Sequence, residues 1–171
     1  MTPPYALWAD TPVSALGAAD HLLLALAAEL ALPEGMFSCT HLVRGDRPRV
    51  ALSFTLSSEP LLRTAEERLT AQGYEVRRGV PDAVGRAVLY PGADSLTGTL
   101  TVGELLARSA IDRVTVLGTP GQPPSDQRLV TRDHVRPHWR GGQLVLAAMP
   151  AVGGALVPFE VPDPTPCCAD H

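Results

Sequence analysis

The stretch from Thr11 to Leu32 does most to limit what this 171-residue chain can fold into. Thr11 is suited to cap a helix and Pro12 to its first position, while Pro33 and Gly35 close it, so the pattern predicts a helix over residues 11–32. Leu16, Leu23, Leu26 and Leu30 recur at helical spacing, and Leu22 and Leu24 widen the stripe. The helix is therefore apolar around much of its circumference. It must be sandwiched in a core or bury a second face on a partner. The most apolar part, Leu22 to Leu32, is interrupted by Glu29 and falls short of the roughly 20 residues needed to span a bilayer.

Beyond it the spacing changes. Residues 36–43 and 49–56 read as strands joined by Arg44-Gly45-Asp46-Arg47-Pro48, a hairpin with a longer loop. Residues 58–72 read as a second helix with Leu61, Leu62, Ala65 and Leu69 inside, and residues 74–78 as a strand after it, which makes a βαβ unit. Residues 83–90 and 113–118 carry strand patterns, the latter through Val114, Val116 and Leu117. Thr101 and Glu104 have the spacing of a capping box on a short third helix. Residues 128–135 suit a strand or a short helix. Residues 143–149 and 155–161 suggest a C-terminal hairpin. The expected fold is α+β: one domain over residues 1–171, a mixed sheet with about three helices, ending in an extended proline-rich tail from residue 158.

Composition removes several chemistries. All 14 Lys+Arg residues are arginine and asparagine is absent. The codons of the missing residues are AT-rich, which points to a GC-rich, bacterial genome and leaves the arginines no special claim on phosphate. Without lysine there is no Walker A loop and no Schiff-base amine. Without asparagine there is no N-glycosylation and no Cys-His-Asn arrangement. The net charge of −4 disfavours a nucleic-acid partner. The first residues lack a basic leader pattern and the three cysteines make no even disulfide framework, so a reducing cytoplasm is expected.

The most pointed chemistry is a Cys/His set. Cys167, Cys168 and His171 lie in the tail, and Cys39 and His41 alternate onto one face of the 36–43 strand. Thiolate and imidazole are the ligands of zinc and other borderline metals, so these five residues form a candidate metal site, with the tail clipped onto the sheet. The same cysteines could instead serve redox chemistry, or Cys39 could be a small core residue and the tail cysteines incidental. A second set, His134, Arg136 and His138 beside Asp133, Trp139 and Arg140, would share a face if extended. It would then offer an anion-binding or acid–base surface, or simply a solvated strand edge.

Three functions remain open on these grounds. One is a non-enzymatic accessory or regulatory protein that binds a protein partner or itself through the over-apolar first helix. Another is a metal-dependent or redox-active protein built on the Cys/His set. The third is a small enzyme acting on an anionic substrate through His134, Arg136 and His138.

Overall fold

A computed structural model describes residues 5–33 and 36–162. In chain order the elements are β1 (Ala6–Asp10), α1 (Leu16–Glu29), β2 (Phe37–Val43), β3 (Arg49–Thr55), α2 (Glu59–Ala71), β4 (Val76–Arg78), β5 (Arg86–Leu89), β6 (Thr99–Thr101), α3 (Val102–Arg108), β7 (Arg113–Val116), β8 (Arg128–Val130), β9 (His138–Arg140), β10 (Gln143–Pro150) and β11 (Leu156–Pro158). Three helices and a mixed β-sheet make the fold α+β, as the sequence implies. No helix among the described residues is long and apolar enough to cross a membrane. The described residues divide into two compact units, those of 1–91 with 138–142 and those of 92–137 with 143–162.

The first unit has the strand order β4-β1-β3-β2-β5-β9, with every neighbour antiparallel. The expected β3-α2-β4 crossover is present, but β1 lies between its strands. Likewise β3 lies between β1 and β2. This interleaving is the split βαβ, or ferredoxin-like, arrangement. Short β1, before the first helix, is, like β9, an element that the sequence pattern did not reveal. Its presence shortens α1, which begins at Leu16 rather than Thr11. Thr11 instead donates its hydroxyl to the Val50 carbonyl at 2.7 Å, and Val50 N–H donates to Val13 at 2.9 Å, so residues 11–13 are tied to β3.

One face of this sheet packs on both helices. Leu7, Val50, Leu52 and Phe54 meet Leu23, Leu26 and Leu30 of α1 and Leu62 and Leu69 of α2. Inside this apolar layer lies one ion pair. Arg86 of β5 grips Asp20 of α1 with a two-pronged contact, Nη1 to Oδ1 at 2.6 Å and Nη2 to Oδ2 at 3.1 Å. The same Nη1 donates to Thr40 Oγ1 of β2 at 3.0 Å. Fork geometry is the strong form of this interaction.

In the second unit the order is β6-β8-β11-β10, with β7 on the other side of β10. β7 runs parallel to β10 and β8 parallel to β11, while β10 and β11 form the expected C-terminal hairpin. The capping box closes α3 as read: Glu104 N–H donates to Thr101 Oγ1 at 3.1 Å. Gly92, at φ 84°, cannot be replaced, because a Cβ there would lie 1.9 Å from the Arg108 carbonyl oxygen. The 113–118 strand stops at Val116. Leu117 is 64% exposed in a tight turn closed by Thr119 N–H on the Val116 carbonyl, which Gly118 permits at φ 78°.

Asp20→Ala would strand the Arg86 charge in the core. The expected loss is about 3–5 kcal/mol of unfolding free energy by urea titration, whereas the paired Asp20→Leu/Arg86→Met variant should recover most of it.

Candidate functional site

β2 is buried on both faces over Ser38, Thr40, Cys39 and His41, so its alternation sorts polar side chains into two sets. Ser38 and Thr40 turn toward the helices. Cys39 and His41 share the opposite face, as their spacing requires. Cys39 is paired across β3 with Ser53, and His41 with Ala51. Ser53 Oγ lies 2.7 Å from His41 Nε2, and His41 Nδ1 lies 3.1 Å from the Ala83 carbonyl oxygen. A carbonyl only accepts, so Nδ1 carries the hydrogen and Nε2 accepts from the Ser53 hydroxyl. Ser53 and Trp139 also neighbour the Cys39 thiol, and both favour its ionised form. Trp139, on β9, also packs against Phe37 with ring centroids 5.3 Å apart.

Electrostatics follows from burial. Desolvation pushes the Cys39 thiol up to about 12, against a smaller pull from its Trp139 and Ser53 hydrogen bonds, so the group is a neutral thiol at physiological pH. Burial likewise holds His41 below its ordinary value of 6.5, partly offset by the bond to the Ala83 carbonyl. The cluster is thus neutral and closed to solvent, with His41 4% and Ser53 3% exposed. A serine hydroxyl on an oriented imidazole is the skeleton of a nucleophile–base pair. Here the pair is buried inside a sheet face and its hydrogens are committed to internal partners.

The five metal-site candidates divide between the described residues and the rest. Cys39 and His41 come together, but both His41 nitrogens are engaged in hydrogen bonds, which leaves no ring lone pair facing outward. Cys167, Cys168 and His171 lie outside the described residues. Among the described residues no group of three or more His, Cys, Asp or Glu could hold a metal ion.

The second set does not form one strand face. His134 to Pro137 belong to no strand, and Arg132 and Asp133 have φ of 56° and 54°, which turns the backbone just before them. His138 opens β9 opposite Arg86 in the first unit. His134 and Arg136 belong to the second, where His134 Nε2 lies 3.0 Å from Glu160 Oε1. His21 is exposed on α1, as its position suggests.

Sequence reasoning missed Ser53, Gly85 and Trp139. Ser53 carried a signal, since it is the one hydroxyl in Val50-Ala-Leu-Ser-Phe54, out of phase with Leu52 and Phe54. Gly85 carried none. A Cβ there would lie 3.1 Å from Trp139 Cδ1 and 3.2 Å from His41 Cε1, so the glycine lets both rings close over β2. No family model, no curated protein and no solved structure matches the chain.

Gly85→Ala should therefore cost about 1–3 kcal/mol in urea unfolding. Gly45→Ala, whose methyl meets nothing nearer than the Arg49 guanidinium at 3.5 Å, should stay within about 0.5 kcal/mol. Peptide-resolved mass spectrometry should find Cys39 unmodified by iodoacetamide at about pH 8 in the folded protein and alkylated in urea.

Proposed function

We propose that the chain is a cytoplasmic, non-enzymatic accessory or regulatory protein that acts by binding another protein chain through the outward face of α1. The contrast between the two helices of the first unit carries the reading. Both pack on the same sheet face. The outward side of α2 is charged, with Arg63, Glu67 and Arg68 exposed and Arg78 of β4 paired to Glu59 and Glu66 at 2.9 Å. The outward side of α1 is Ala18, His21, Leu24, Ala25 and Ala28, with Glu29 as its one acidic residue at the C-terminal end and Leu24 41% exposed.

An exposed helix normally places charge on that side. A mostly apolar exposed face is the mark of a surface that another molecule covers. The second unit supports the same reading. Leu117 and Phe159, 64% and 56% exposed, donate their N–H groups to the Ala148 and Ala147 carbonyls of β10 and so flank one point of the sheet. The net charge of −4 favours a protein over a nucleic acid as partner.

A photo-crosslinking residue at Ala25 should yield a discrete crosslinked protein in the producing cells, and the same residue at Arg63 should not. Ala25→Glu beside a crosslinker at Leu24 should abolish the product while circular dichroism and the thermal midpoint stay near wild type. Irradiation that gives no discrete product at position 25, or equal products at 25 and 63, would overturn the reading.

A further inference from the structure

Residues 79–85 join β4, at one edge of the first unit's sheet, to β5, which lies beyond β1, β3 and β2. No helix makes the crossing. Gly79 N–H donates to the Ala6 carbonyl of β1 at 2.7 Å, and Ala83 already meets His41 of β2. The His41 side chain stands on the face turned away from the helices. The segment therefore crosses that face as a strap.

The strap is extended, and its exposure alternates. Val80, Asp82 and Val84 are exposed, Pro81 and Gly85 are buried and Ala83 is half-buried. Small residues thus face the sheet. The sheet answers with small residues of its own. Ala6 of β1, Ala51 and Ser53 of β3 and Cys39 of β2 share the face away from the helices, and all are buried. Trp8 of β1, with the Arg77 guanidinium 5.3 Å from its ring centre, rises on one side. Phe37 and Trp139 rise on the other. A floor of small side chains between large rings makes a trough one chain deep, and the strap lies along it.

Little in this seating depends on the strap's own sequence. Among the described residues one hydrogen bond ties residues 80–84 to the sheet, from His41 Nδ1–H to the Ala83 carbonyl at 3.1 Å. Any peptide offers such a carbonyl, so the bond suits any extended chain. Size is what selects. A Cβ at Gly85 would lie 3.1 Å from Trp139 Cδ1 and 3.2 Å from His41 Cε1. Backbone bonding joined to room for alternate side chains is a general way to take up an extended peptide. We propose that residues 79–85 are the resident occupant of a peptide-binding trough, and that the trough takes, in their place, an extended segment of another protein with small residues at every second position. The site is separate from α1, on the opposite side of the sheet. Tethering keeps it closed. The strap competes at an effective concentration of about a millimolar, so an incoming segment must be longer or bring contacts beyond the trough.

The test uses full chains whose own strap cannot seat. In one, Pro81→Glu and Ala83→Glu place charge where small residues face the floor. In the other, a Gly/Ser run of equal length replaces residues 80–84. The probe is the free peptide Gly-Val-Pro-Asp-Ala-Val-Gly, the sequence of residues 79–85, titrated into isotope-labelled protein and followed by amide NMR shifts. Both unseated chains should bind it at least about tenfold more tightly than the wild type, with shifts at Ala51, Ser53 and Cys39 and none at Leu24 of α1. A control peptide with glutamate in place of its proline and alanine should bind more weakly by a similar factor. Ala25→Glu, which blocks the α1 face, should leave the affinity unchanged, so the two surfaces stand or fall separately. If the double variant does not fold, the Gly/Ser chain decides. Equal binding by the wild type, equal binding of the control peptide, shifts centred on α1, or no binding to a folded Gly/Ser chain would overturn the trough.

Discussion

A guanidinium inside an apolar core has to be met by a carboxylate, and the first unit is organised around that requirement. Arg86 reaches Asp20 and Thr40, so one side chain joins α1, β2 and β5. Strand alternation then fixes what happens next door. With Arg86 turned toward the helices, Gly85 falls on the opposite face beside His41, where the absence of a Cβ lets Trp139 close. The ion pair and the Ser53–His41 pair thus lie on opposite faces of the same sheet. One is charged and balanced, the other neutral, and each satisfies polar groups that burial would otherwise leave unpaired.

Much of this was legible from residue order alone. Period-two alternation placed Cys39 and His41 together and separated them from Ser38 and Thr40. Helical spacing found α1 and α2, and the Thr101/Glu104 pair found the start of α3. What escaped was whatever depends on distant partners. β1 is five residues long and its hydrophobicity merges into the helix pattern that follows, so only pairing with β3 and β4 reveals it. Thr11 looked like a helix cap because local chemistry cannot show a carbonyl 39 residues away. The His134/Arg136/His138 grouping failed for a related reason. Only His138 lies in a strand, opposite Arg86 in the first unit, whereas His134 and Arg136 belong to the second.

The polar residues that first suggested chemistry are, where described, mostly engaged with internal partners, and the outward side of α1 is mostly alanine and leucine. That inversion moves attention from reactivity to recognition. A serine–imidazole pair earns a catalytic reading only when a substrate can reach it, whereas an exposed helix face is accessible by construction.

The first unit is also discontinuous, since its last strand comes after residues 92–137. A ribosome therefore releases β1 to β5 well before Trp139. During that interval β5 is an open edge, and the Gly85 carbonyl waits for the Trp139 N–H. The unit cannot mature in the order in which it is written: its sheet closes only once most of the second unit has been synthesised, which couples the completion of one body to the emergence of the other.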